Sequence, residues 1–370
     1  MDREQCCVKL SVQPSRGLVD EKFTVLVQHV PPGSQLTVHA LHQCEDGHTW
    51  EAFAHYIANA TGTVVQNLDL ENTVIRRETS IIMYSKLFLV FDSSEGPGPF
   101  PGLLDLWGGE GHLLEYRVAL LASHGFASLT LDYLTPKIAS ETGKMVDNQY
   151  FETAFRVLQQ HPQVLGSRIG MMGLSLGASF TLKMAAYSEV IKLSSIVCIN
   201  GTHVQPVNGS VEEMLEYCRS NAEKTRFNEE NQVIWRDLPL PIPTDPELKV
   251  DVGRLQCPVM LVVAEDDQNW PASESAQDMK EMMEQAGNSH LLTILSYPNA
   301  SHLIEPPYTP HFRASSFKTV DRGQTFMALW GGDTVPHARA QEDAWRKMLA
   351  FLQENFYGST KPAATSLSHL

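Results

Sequence analysis

The sequence predicts an α/β fold: a doubly wound, mostly parallel sheet with helices on both faces, preceded by a small all-β, sandwich-like domain. Three observations carry this expectation. Short runs alternating apolar and polar residues occupy much of positions 1–92. From 93 to 357, apolar strand-like runs take turns with segments of helical period. Between one such run and one such helix, in RIGMMGLSLGASF (168–180), Ser175 sits on a tight turn with Gly173 before it and Gly177 after it.

In the first module, CVKLSVQP, KFTVLVQHV, SQLTVHALH and TWEAFAHYIA read as strands, separated by turn clusters such as Pro31-Pro32-Gly33. A further apolar run, IIMYSKLFLVF, ends at Phe91. A complete sandwich usually takes about 100 residues, so an abbreviated one is expected. Glycines and prolines in SSEGPGPFPG (93–102) then mark a linker or an entering turn.

The second module, 93–357, follows a βα rhythm: GLLDLW, a helix near 113–124, FASLTLDY, a helix near 148–160, RIGMMGLS, a helix near 176–187, and SSIVCIN. After an interruption come CPVMLVVAE, a helix near 273–286, LLTILSYP and a last helix near 341–356. In that last helix Trp345, Met348, Leu349, Leu352 and Phe356 share one face. The interruption, 203–250, is polar and ends in the proline-rich LPLPIPTDPE. It reads either as an insertion over an active site or as a plain surface excursion. The closing KPAATSLSHL has no core pattern, and 358–370 is expected to be a flexible tail.

Composition narrows the function classes. Hydrophobic residues form 43% of the 370, enough for a sizeable core. The net charge of -15, with 28 basic against 43 acidic residues, argues against general nucleic-acid or anionic-membrane binding. None of the six cysteines (Cys6, Cys7, Cys44, Cys198, Cys218 and Cys257) forms a C-x-x-C pair, which fits free thiols in a reducing compartment. MDREQCCVKL lacks the apolar core of a signal peptide, and no apolar run approaches the length of a membrane span. The sequons at Asn59, Asn200, Asn208 and Asn299 are read as chance matches.

The strand–turn–helix setting of G-x-S-x-G is that of a nucleophile elbow. The turn is so sharp that side chains at 173 and 177 would meet neighbouring backbone, and it lifts the Ser175 hydroxyl above the sheet edge. It also puts the Leu176 N–H at a helix N-terminus, where it can stabilise an oxyanion. An alcohol needs a base. In α/β-hydrolases the chain order is Ser, acid, His. VMLVVA ends in Glu265-Asp266-Asp267; Asp267 has the usual loop position for the acid, with Asp266 as its rival. LLTILSYP leads into His302, which alone among 14 histidines has both the order and the place of a base; His290, His311 and His337 are weaker. The second oxyanion donor is expected from the loop after the first strand of the module, Leu106-Trp107-Gly108-Gly109, at Trp107 and Gly108. This chemistry calls for no cofactor and no metal.

Several segments resemble the type I acyl-CoA thioesterases, a family that includes the bile acid-CoA:amino acid N-acyltransferase. They are PGPFPGLLDLWGGEGHLLEYRVALLASHGFASLTLDY, GLSLGASF, AEDDQNW, YPNASHLIEPPY and LWGGDTVPHARAQEDAWRKMLAFLQ, together most of 93–356. The resemblance implies a β-sandwich followed by an α/β-hydrolase domain. It supports Ser175, Asp267 and His302 as the triad, and Asp267 over Asp266. It also implies a fatty acyl-CoA substrate. Family members with Ser hydrolyse, whereas the amino-acid conjugating enzyme carries Cys; Ser175 therefore points to hydrolysis, with transfer to glycine or taurine as the alternative. A non-catalytic acyl-CoA-binding protein on the same scaffold is a third reading, because Leu176 and Ala178 replace the Lys and second Gly of the family elbow. The ending Ser368-His369-Leu370 resembles the S-K-L peroxisomal address, implying an import receptor as partner; a cytoplasmic location is the alternative.

Overall fold

The structure, a computed structural model, describes residues 8–13, 20–21, 23–43, 49–61, 63–68, 80–81, 89–93, 98–109, 114–134, 145–319 and 324–358. Cys6, Cys7, Cys44 and the ending Ser368-His369-Leu370 lie outside them. The chain forms two compact units, 1–76 and 77–370.

The first unit holds β1 (Lys9–Gln13), β2 (Phe23–Gln28), β3 (Gln35–Gln43), β4 (Thr49–Ile57) and β5 (Val64–Leu68). An antiparallel sheet of order β1-β2-β5 and the antiparallel β3–β4 pair contribute to one small core. Val25, Val27, Ala58 and Val64 are buried there, with Leu36, Val38 and Tyr56 packed against them. Alternation of inward and outward residues is what a sheet with one covered face requires.

The second unit is built on an eight-stranded sheet. Its elements, in chain order, are β6 (Ser80–Ile81), β7 (Leu89–Ser93), β8 (Phe100–Leu106), α1 (Glu115–Ser123), β9 (Ala127–Leu131), α2 (Asn148–Gln160), β10 (Val164–Leu174), α3 (Leu176–Tyr187), β11 (Ile196–Ile199), α4 (Val211–Ser220), β12 (Arg226–Phe227), β13 (Val233–Ile234), β14 (Val259–Ala264), α5 (Ala272–Gln285), β15 (Leu292–Tyr297), β16 (Ala314–Lys318), β17 (Thr325–Leu329) and α6 (Thr334–Tyr357). The sheet order is β15-β14-β11-β10-β8-β9-β7-β6. The six strands from β15 to β9 run parallel, and β7 and β6 close one edge antiparallel. This is the α/β-hydrolase architecture. Helices cover both faces of its inner strands, so every residue of β9, β11 and β14 is buried, and β11 and β14 read as unbroken apolar runs.

Two features differ from the sequence expectation. The run ending at Phe91 was grouped with the first module, yet β7 pairs with β9 in the large sheet, Phe91 opposite Leu129. An apolar strand carries no mark of which sheet it joins. The last helix begins at Thr334 rather than near 341, because the turn preceding the apolar face carries Pro336, which the first turn of a helix tolerates.

The interruption 203–250 contains α4, capped by a reciprocal Ser210–Glu213 capping box, and the short strands β12 and β13. These strands join the β16–β17 hairpin in a four-stranded sheet, β12-β13-β17-β16. The junction is a single parallel pairing of Val233 with Ala328. Trp235 packs edge-on against Phe317 at 5.5 Å and against Phe326 at 6.1 Å, fastening the two excursions together.

Candidate active site

The site grows from the carboxyl ends of β10, β14 and β15. Ser175 occupies φ 59°, ψ −124° between β10 and α3, a conformation that costs a non-glycine residue on the order of 1–3 kcal/mol. Surrounding contacts hold it there. Its N–H donates to Ile199 O at 2.8 Å, and its carbonyl accepts from the Ala178 N–H at 3.0 Å. The flanking glycines are obligatory: a β-carbon on Gly173 would fall 2.4 Å from the Gly177 carbonyl carbon, and one on Gly177 would fall 2.1 Å from Leu106 O.

His302 Nε2 lies 2.8 Å from Ser175 Oγ, and His302 Nδ1 lies 2.7 Å from Asp267 Oδ2. All three side chains are buried. The other carboxylate oxygen, Asp267 Oδ1, accepts the backbone N–H groups of Asn269 at 2.7 Å and Trp270 at 2.9 Å. A carboxylate only accepts, so the proton on His302 Nδ1 faces Asp267, and in the neutral imidazole Nε2 is the acceptor that faces the hydroxyl. The His302 ring stacks on Trp330, with centroids 5.7 Å apart.

The rival positions go elsewhere. Asp266 accepts from the Gly332 N–H at 2.7 Å and from Gln268 Nε2 at 2.7 Å. His290 is exposed on a 3-10 turn. His311 Nε2 meets Gly331 O at 3.1 Å. His337 Nδ1 accepts the Ser301 N–H at 3.2 Å, supporting the loop that carries His302 without reaching Ser175. Burial, then neighbouring His311, pushes the His337 imidazole down to about 4.

Leu176 is the first residue of α3, where no helix carbonyl lies four residues back to take its N–H. Trp107 and Gly108 follow β8 directly and pass close to Ser175; a β-carbon on Gly108 would lie 3.0 Å from that of Ser175. Several side chains absent from the sequence expectation hold this loop. The Trp107 indole donates to Glu305 Oε1 at 2.5 Å, and the Tyr133 hydroxyl donates to the Trp107 carbonyl. Behind them Arg117 on α1 makes a two-pronged ion pair with Asp105 on β8, and its Nη1 faces Glu305 Oε2 at 3.8 Å. Burial opposes the Arg117 charge, but the two carboxylates more than offset that and hold its pKa above the ordinary value. The signal for this cluster was Asp105 as the lone charge in β8 and Arg117 ahead of the apolar run of α1.

Two further residues were missed. Asn200, noticed only as a sequon, is buried at φ 46°. Its Oδ1 accepts the Ala264 N–H at 2.7 Å, and its Nδ2 donates to His302 O at 2.6 Å, tying the end of β14 to the loop that carries His302. Trp270 lies three residues beyond Asp267 and donates its indole N–H to Ser175 Oγ at 3.1 Å.

The hydroxyl opens into a cavity of about 890 Å³. Its walls are largely apolar: Leu215 from α4, Phe227 from β12, Val233 from β13, Phe317 and Phe326 from the β16–β17 hairpin, and Trp330. The arrangement suits attack on an acyl carbon whose long apolar substituent lies in the cavity. Among the described residues, no helix is long and apolar enough to cross a membrane.

Comparison with known proteins adds the following. Residues 146–358 match the family described as "BAAT / Acyl-CoA thioester hydrolase C terminal", and 20–71 match "Acyl-CoA thioester hydrolase/BAAT N-terminal region". The mouse bile acid-CoA:amino acid N-acyltransferase is 35% identical over 263 residues, 70% of this chain and 61% of that protein. Mouse acyl-coenzyme A thioesterase 5 is 30% identical over 351 residues, 94% of this chain and 75% of that protein. Among solved structures, an acylaminoacyl peptidase in complex with Z-Gly-Gly-Phe-chloromethyl ketone shares the fold, with a TM-score of 0.51 at 14% identity, over 93% of this chain and 49% of that one.

Proposed function

The chain belongs to the acyl-CoA thioester hydrolase/BAAT family, and from that premise we propose that it is a serine-dependent acyl-CoA thioesterase, releasing free fatty acid and CoA. The observation that carries the reading is the hydrogen-bonded run Asp267–His302–Ser175 at the mouth of an apolar cavity. Ser175 Oγ attacks the thioester carbonyl while His302 Nε2 takes its proton. The Leu176 N–H, with Trp107 and Gly108 from the facing loop, stabilises the oxyanion. The C–S bond breaks, and His302 returns the proton to the departing thiolate. Water, deprotonated by His302, then opens the acyl-serine ester. Asp267 holds the imidazole tautomer and balances its transient charge. A serine ester is opened readily by water, which favours hydrolysis over conjugation to an amine.

The test uses purified protein and dodecanoyl-CoA, with and without taurine, following both free thiol and conjugate. Thiol without conjugate is the expected result. Conjugate formation would assign amino-acid transfer instead, and bound acyl-CoA with neither product would make the protein a non-catalytic binder. Ser175→Ala is expected to abolish turnover; undiminished turnover would remove Ser175 as nucleophile.

For location, the ending Ser368-His369-Leu370 supports peroxisomal import through the receptor for such tripeptides. Deleting these three residues from a tagged protein should leave it in the cytoplasm. Peroxisomal signal that survives the deletion would refute the address.

A further inference from the structure

Ser175 Oγ has two partners, His302 Nε2 at 2.8 Å and the Trp270 indole nitrogen at 3.1 Å. An indole N–H can only donate. The hydroxyl proton therefore points to His302, one lone pair is held by Trp270, and one lone pair is left for attack. The indole is buried, and its own backbone N–H is fixed by Asp267 Oδ1 at 2.9 Å. The carboxylate that orients the imidazole thus also orients the indole.

What this donor does depends on how good an acceptor Oγ is at each stage. In the free enzyme Oγ is a hydroxyl oxygen, and the bond to Trp270 is already made, so acylation gains little from it. In an acyl-serine, the same atom is an ester oxygen whose lone pair is shared with the carbonyl, and it accepts weakly. As the ester is hydrolysed, the C–Oγ bond breaks and electron density returns to Oγ, so the hydrogen bond strengthens toward the transition state. Only interactions that strengthen on the way to the transition state accelerate a step.

Resting on the acyl-serine reading above, we propose that Trp270 is a catalytic residue of the second half-reaction, stabilising the charge that returns to Ser175 Oγ when the acyl-enzyme is hydrolysed. In that step the water oxygen bonds to the acyl carbon and the C–Oγ electron pair leaves with Oγ. The proton taken from water by His302 is delivered to Oγ, and Trp270 keeps its own proton throughout.

The test compares wild type, W270F, W270L and S175A with dodecanoyl-CoA in rapid-quench experiments. Thiol release reports acylation, and intact-protein mass reports the acyl adduct. In W270F deacylation is expected to slow about 10- to 100-fold, the range of one lost charge-assisted hydrogen bond. Acylation is expected to change by less than about threefold, because that bond is present before attack. A larger thiol burst and a longer-lived adduct than in wild type then appear. The ratio of the two rate constants within one sample does not depend on the fraction folded, and W270L repeats it with a different packing defect. Equal slowing of both steps, slowing of acylation alone, or no adduct in either variant would overturn the role of Trp270. If wild type releases no thiol, or S175A releases it undiminished, the underlying thioesterase reading fails instead.

Discussion

Replacing Asn200 with Ala should unsettle the catalytic framework from a position that touches no substrate. Two losses add. The Ala264 N–H, bonded to Asn200 Oδ1 at 2.7 Å, is left without that acceptor inside the sheet edge; an unsatisfied buried donor costs about 1–3 kcal/mol. The His302 carbonyl loses its 2.6 Å donor but keeps the Ile304 N–H at 3.2 Å, so its share is smaller. The backbone at φ 46° suits Asn better than Ala, adding on the order of 1 kcal/mol. The total is about 3–5 kcal/mol, which lowers the melting temperature by roughly 6–10 °C in a unit of this size. Thermal unfolding followed by tryptophan fluorescence measures it. Asn200→Gly, free of the backbone penalty, should recover about 1 kcal/mol of the loss. Turnover should fall as well, because the backbone of His302 is no longer anchored. An N200A protein within about 1 kcal/mol of wild type, with unchanged turnover, would refute the view that this side chain holds the end of β14 and the loop that carries His302 together.

Three further expectations follow. Gly177→Ala puts a methyl 2.1 Å from the Leu106 carbonyl oxygen, which is backbone and cannot swing aside; the variant should be insoluble or inactive, and a soluble, fully active G177A would contradict the elbow geometry. His337 is neutral in the folded protein down to about 4, whereas the unfolded chain takes up a proton near 6.5. Between those values the unfolded state binds more protons, so stability falls as pH drops from about 6.5 toward 4, and H337Q should flatten that slope by up to about 1.4 kcal/mol per pH unit in urea titrations. Asp278 is pulled down to about 2 by its hydrogen bond to His203, supported by Lys249; its stabilisation is full above about pH 4 and lost as pH falls through 2. Asp278→Asn should therefore lower stability at neutral pH and leave a flatter acid limb, and parallel curves for variant and wild type would rule the pairing out.

The parts of this molecule that were legible in the sequence are those whose cause is local. β11 and β14 announce themselves as unbroken apolar runs because both faces of the sheet are covered, and α2 begins where Asp147 caps it. The elbow is legible because its pattern fits in five consecutive residues, although the atom that excludes a side chain at Gly177, Leu106 O, belongs to another strand. Chain order then placed Asp267 and His302 at strand ends, and the structure brings both within hydrogen-bond distance of their partners. What escaped depends on distant neighbours. β12 and β13 are two residues each, too short for periodicity, and exist as strands because they pair with each other and Ala328 lies beside Val233. Trp270 and Asn200 are ordinary residues until the fold sets them against an oxygen 95 and a nitrogen 64 positions away.

The four-stranded sheet over the cavity has a consequence for how specificity can change. Its two halves leave the main sheet nearly a hundred residues apart and are stitched by one backbone pairing and a knot of aromatic rings. Changes at Phe227 or Phe326 would alter the shape of the space beneath it, whereas Phe317 also meets Trp330, the ring stacked on His302. The shape of the space and the placing of His302 are thus joined through Trp330 rather than carried by independent stretches of the chain.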